Sequence, residues 1–120
     1  MIVLLALAGG LGAACRFALD GAVRARFPSQ FPWGVLVVNV LGSFLLGLLT
    51  GLVLDGADPA WRLVLGVGFC GGFTTFSTAM TDTVRLVREG ALRPAAGNLV
   101  GSLALTVLAA AFGLGLGVLG

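Results

Sequence analysis

Charged residues divide the chain into long apolar stretches joined by short polar connectors. Ile2 to about Leu19 is apolar apart from Arg16, and Phe27 to Leu54 runs for 28 residues without a formal charge. Leu63 to Thr81 is a third uncharged run, of 19 residues, and Pro94 to Gly120 a fourth, of 27. A helix needs about 20 apolar residues to cross the hydrocarbon core of a bilayer. The pattern predicts an all-α membrane protein with four transmembrane helices, spanning about 2–19, 33–54, 61–82 and 96–119. Residues 1–120 are read as a single four-helix membrane domain, with no repeat, low-complexity tract or second domain visible. No basic residue precedes the first apolar stretch, so it lacks the leading region of a cleaved signal and is expected to stay in the mature protein.

Composition narrows the function classes. Of 120 residues 58% are hydrophobic and only 10% charged, with 20 glycines besides. So few charges cannot coat a water-soluble globule, which excludes a soluble enzyme, a disordered chain and a nucleic-acid binder. The chain has no His, and its two cysteines, Cys15 and Cys70, sit inside apolar runs. No zinc site, disulfide framework or His-based catalytic site can be built from that inventory. An enzyme is therefore not expected.

Arginine supplies all the positive charge, and its placement predicts orientation. The first and third connectors share one side of the membrane and carry Arg24, Arg26, Arg85, Arg88 and Arg93, whereas the second carries Arg62 alone, beside Asp55 and Asp58. Cytoplasmic loops are the arginine-rich ones, so both termini are expected outside the cytoplasm.

The glycines fall largely into small-xxx-small pairs: Gly47 with Gly51, Gly68 with Gly72, Gly97 with Gly101, and Gly113 with Gly117. Close helix packing accounts for most of them. The string from Gly66 to Gly71 spells GxGxxG, but no βαβ unit surrounds it and the match is accidental.

Candidate chemistry gathers in the third span, at Gly71-Gly72-Phe73-Thr74-Thr75-Phe76-Ser77-Thr78. Two adjacent glycines followed by β-branched and hydroxyl residues make a poor continuous helix, and the third helix is expected to break near its middle. In lipid such a break is tolerated only where protein or water meets the freed backbone groups, and broken helices can present carbonyls to a cation. Asn39 lies inside the second span with Ser43 one turn on, and Asn98, Ser102 and Thr106 form one stripe along the fourth. These residues suggest a polar track between helices. Arg16 either snorkels to the interface or faces a pore, and the sequence leaves both readings open.

At these residues the chain resembles the small four-helix fluoride channels of the CrcB, or Fluc, family. The likeness runs through Gly9-Gly10 to Arg16, through Trp33-Gly34 to Asn39 and Gly42, and is strongest from Gly68 to Thr78. It implies an antiparallel dimer with two narrow pores that let fluoride leave the cytoplasm passively, in the inner membrane of a bacterium. It also implies one structural Na⁺ at the dimer centre, held by backbone carbonyls that match Gly71 and Thr74. Phe76 matches a phenylalanine whose ring edge meets the ion. Asn39 matches a donor on the second helix, Ser77 and Thr78 match hydroxyls near the pore, and Asn98 and Ser102 match the polar track of the fourth helix. The implied partners are fluoride, membrane lipid and a second subunit; no nucleic acid is expected.

Three positions depart from the family pattern. Ala79 stands where a second phenylalanine is usual, Met80 where Ser is common, and Val35 where Thr is common. With the unequal arginine flanks, they leave two partners open: a second copy of this chain, or an oppositely oriented paralogue. The rival from another class is a small four-helix multidrug antiporter. That chemistry needs a membrane-embedded carboxylate, and residues 1–15, 27–54, 63–81 and 94–120 contain none.

Overall fold

The computed structural model describes every residue except Ser29, Gln30, Ala57, Thr75 and Gly120, together with the side chains of Trp61, Phe76 and Ser77. Among the described residues every regular element is a helix, with no strand. An apolar chain in lipid has no water for its backbone polar groups, so each span satisfies them internally as helix. Helix α1 covers Ile2–Arg26 and α2 covers Trp33–Leu54. A single turn, α3 at Pro59–Trp61, leads into a π-wound segment at Arg62–Cys70, then α4 at Gly71–Phe73 and α5 at Phe76–Arg88. Helix α6 covers Leu92–Leu119. Four stretches are long and apolar enough to cross a membrane, the third being Arg62–Arg88. The long axis of the molecule is 48 Å, close to the roughly 40–45 Å of a bilayer with its headgroups.

The first helix runs past its apolar stretch because Asp20 and Arg24 pair one turn apart, at 2.8 Å, so the polar segment continues the helix. Other ends follow familiar rules. Asp58 caps α3 by accepting from the Ala60 N–H at 3.0 Å, with Pro59 at the first helical position. Gly90, at φ +78°, ends α5: its N–H bonds to the Val87 carbonyl and the Ala91 N–H to that of Leu86. That is the paired closure of a helix ending on a left-handed glycine, and it turns the chain straight into α6.

Helix α2 is the central strut. Over its membrane span 44% of residues are buried, against 6% for α1 and 11% for α6, so most of the outer two faces away from protein. Helices α2 and α6 meet along a glycine seam. A Cβ on Gly47 would run into the Ala110 carbonyl, and one on Gly113 into the Phe44 carbonyl. Gly51 and Gly117 repeat the arrangement a turn along, against Leu114 and Leu48. A second, smaller seam joins α1 to the third stretch, with Gly12 against the Phe69 carbonyl and Gly72 against that of Gly9. Backbones can approach this closely only where side chains are absent, which suits helices that gain little from hydrophobicity in lipid.

Candidate functional site

Between α2, the third stretch and α6 lies an open groove of about 660 Å³. Its walls carry Asn39 and Ser43 from α2, Gly71, Thr74 and Ala79 from the third stretch, and Ser102 and Thr106 from α6. The four-residue spacing of Asn98, Ser102 and Thr106 puts them on one face of α6, turned inward. Asn98 is 1% exposed, Asn39 7% and Ser102 8%, which is deep burial for polar groups in an apolar chain.

Buried polar groups require partners, and the site supplies them. The Asn98 side-chain amide donates to the Ala79 carbonyl at 3.1 Å and to the Thr83 hydroxyl at 2.8 Å. Its oxygen accepts from the Ser102 hydroxyl at 3.3 Å, and the Thr106 hydroxyl donates to the Ser102 carbonyl at 2.6 Å. Asn98 therefore ties α5 to α6 with both of its N–H groups. The Thr83 hydroxyl donates back to the Ala79 carbonyl at 2.9 Å, so that carbonyl takes two donors.

Thr74 marks a change of winding. Its φ and ψ of −86° and 154° are extended, and both its N–H and its hydroxyl bond to the Cys70 carbonyl, each at 2.8 Å. Gly71, one turn before, is exposed, lines the groove, and would bring an added Cβ within 4 Å of nothing. Its neighbour Gly72 is the opposite case, pressed on α1. The two adjacent glycines thus do different work.

The structure brings Asn39, Gly71, Thr74 and Ser102 to the groove, with Asn98 directly behind Ser102. Thr78 and Arg16 are half-buried, on α5 and α1, and are not among the described lining residues. The side chains of Phe76 and Ser77 lie outside the described residues. Ala79, the departure from the family pattern, is 2% exposed and packs where Asn98 grips its carbonyl. Among the groove residues that escaped the sequence reading as site candidates are Arg62, noticed only for its charge, and Cys70, whose apolar surroundings gave no cue. Thr83, the partner of Asn98, could have been found from its place one turn beyond Ala79, on the same face.

A second hollow, of about 420 Å³, lies at the arginine-rich end, with Arg24, Trp33, Asp82 and Arg85 in its wall. It places the first and third connectors at one end of the molecule. The Asp20 carboxylate rests on Gly34, where a Cβ would collide with it. Asp82 sits 3.8 Å from Arg85, which also pairs with Glu89 at 3.2 Å.

Residues 3–114 match the model of the family described as CrcB-like protein, Camphor Resistance (CrcB). The fluoride-specific ion channel FluC 1 of Leifsonia xyli subsp. xyli (strain CTCB07) is 49% identical over 118 residues, covering 98% of this chain and 86% of the relative. The fluoride-specific ion channel FluC 2 of Cutibacterium acnes (strain DSM 16379 / KPA171202) is 49% identical over 113 residues, 92% of each chain. The fluoride-specific ion channel FluC of Pyrococcus horikoshii (strain ATCC 700860 / DSM 12428 / JCM 9974 / NBRC 100139 / OT-3) is 44% identical over 109 residues, 89% of this chain and 87% of the relative. These relatives are named as channels, not enzymes. A family match over nearly the whole chain, on a four-span helical architecture, leads to one conclusion: this chain is a multi-pass membrane protein that belongs to the CrcB family.

Proposed function

We propose that the chain is a subunit of a fluoride-selective channel that lets cytoplasmic fluoride leave passively and so limits its toxicity. The observation that carries the reading is the groove, which gathers amide and hydroxyl groups in an otherwise apolar molecule. Fluoride is small and strongly hydrated, so it needs donors close enough to replace its water. Asn39 and Ser43 bring an amide and a hydroxyl to the groove from α2, and Ser102 and Thr106 bring hydroxyls from α6 that would turn from the Asn98 oxygen and the Ser102 carbonyl to donate to the ion. Asn98 stands behind Ser102, whose hydroxyl donates to its oxygen. By likeness to the family, Phe76, Ser77 and Thr78 would add groups from the third helix. Aromatic edges are electropositive, which makes Phe76 a reasonable contact for an anion. Arg16 supplies positive charge from α1.

In this reading the third helix is interrupted at Thr74, and two such subunits meet antiparallel with their interruptions face to face. The carbonyls of Gly71 and Thr74 would hold a Na⁺ there. The residues fit: carbonyl oxygens suit a hard cation, Gly71 has open space around it, and the extended backbone at Thr74 departs from helical bonding. Two carbonyls from one chain leave a cation under-coordinated, and a second subunit would bring the oxygens to four. The bound cation would favour anions nearby. With an oppositely oriented paralogue as partner, the arginine-rich end would face the cytoplasm of a bacterial inner membrane; with a second copy, the two chains would present that end on opposite sides.

The test is fluoride efflux from vesicles containing the purified chain alone, started by valinomycin. Rapid fluoride efflux without chloride efflux is expected from a selective homodimer. Efflux only on adding a paralogue would assign the heterodimer. Silence in both cases would overturn the reading.

A further inference from the structure

The groove ends at Arg62, on the end of the molecule opposite the arginine-rich hollow. Arg62 is the one charged side chain among the described residues that line it. Its guanidinium is exposed but held: Nε donates to the Thr50 hydroxyl oxygen at 3.2 Å. Thr50 is oriented for this, because its own hydroxyl hydrogen goes to the Leu46 carbonyl at 2.8 Å, leaving a lone pair toward Arg62.

A guanidinium has five N–H donors, so four remain after the bond to Thr50. Among the described residues no carboxylate pairs with Arg62. Asp58, on the same connector, turns its carboxylate to the Ala60 N–H instead. Two arginines of the opposite end, Arg24 and Arg85, differ. Arg24 is paired with Asp20 at 2.8 Å, and Arg85 with Glu89 at 3.2 Å. Much of their charge is compensated locally, whereas that of Arg62 is directed into a groove with low-dielectric walls, which focus a field rather than disperse it.

We infer that Arg62 is an anion-attracting mouth of the groove, raising the local concentration of fluoride at the end away from the arginine-rich hollow. The inference rests on the groove being the ion path proposed above. Arg62 acts through its field and its remaining donors while the ion is still hydrated, so it need not strip water. Such attraction is screened by salt, with a Debye length of about 30 Å at 0.01 M and about 3 Å at 1 M.

The experiment compares initial fluoride efflux from vesicles of zwitterionic lipid containing wild type, Arg62→Gln, Arg62→Lys or Arg62→Glu. Ionic strength is set at about 0.01 M or about 1 M with an impermeant salt. At low salt Arg62→Gln is expected to reduce efflux about 2- to 3-fold, the effect of one unit charge roughly 8 Å away through water. Arg62→Glu reduces it further and Arg62→Lys stays near wild type. At high salt the differences collapse. Equal efflux of all four at low salt would overturn the inference, and so would a deficit of the same size at both salts, which marks a structural defect. If Arg62→Gln fails to insert, the Lys and Glu variants carry the same comparison. A wild type silent both alone and with its paralogue would overturn the channel reading itself, whereas an active wild type indifferent to Arg62 would remove only this inference.

Discussion

The seam between α2 and α6 and the stretch around Gly71 are both rich in glycine, and they use it in opposite ways. At Gly47, Gly51, Gly113 and Gly117 the missing side chain is replaced at once by the backbone of the facing helix. At Gly71 it is replaced by nothing: the space is open and belongs to the groove. Glycine in the seam is a packing device, since backbones that touch maximise dispersion where lipid offers no hydrophobic drive. Glycine at position 71 leaves room beside a backbone that changes winding three residues later. Mutations at the two places should therefore fail differently, one in assembly and the other in conduction.

The largest effect is expected in the seam. Gly47→Leu forces a branched side chain into the Ala110 backbone, an overpacking worth about 3 kcal/mol or more. Loss of monodisperse protein in detergent is the expected readout; normal yield would break the close-contact account. Asn98→Leu comes next. It leaves the Ala79 carbonyl with only Thr83, and removes the donor from Thr83 itself. Interhelical hydrogen bonds in membranes average about 0.6 kcal/mol and reach about 1.7, so a modest loss in resistance to denaturation is expected rather than collapse. The smallest effect belongs to Gly101→Ala. A Cβ there meets nothing within 4 Å, and stability within about 0.5 kcal/mol of wild type is expected by thermal denaturation. A large loss would move Gly101 into an interface with a second subunit.

These contrasts also mark what could be read in the sequence. The existence and type of the helices follow from four charge-poor runs, because a charge-free stretch of about 20 residues has few alternatives to helix in a bilayer. Boundaries were harder: α1 passes Asp20 through its pairing with Arg24, a local bond that a hydropathy pattern does not register. The glycine pairs look alike in sequence, yet Gly113 with Gly117 lies against α2, while a Cβ on Gly97 would meet only the Phe31 ring, at 3.8 Å, and one on Gly101 would meet nothing within 4 Å. Spacing identifies a helix face without saying what stands opposite. Asn98 stood out as a costly residue to bury, but its partners Thr83 and Ala79, 15 and 19 residues earlier, become visible only once α5 and α6 are packed together. Arg62 was legible as a charge on the sparse side of the membrane. Its place at the end of the groove depends on the bond to Thr50, 12 residues away on another helix.

The most direct test of the difference between the two kinds of glycine is fluoride efflux per inserted molecule for Gly71→Ala beside wild type in the same vesicles. The added methyl meets no neighbour in the subunit, so yield and thermal stability should match wild type. Efflux should fall about tenfold or more, the result of losing roughly 1.4 kcal/mol of stabilisation along the ion path. Full efflux from a normally folded Gly71→Ala would contradict the account, leaving position 71 as vacant space with no part in conduction.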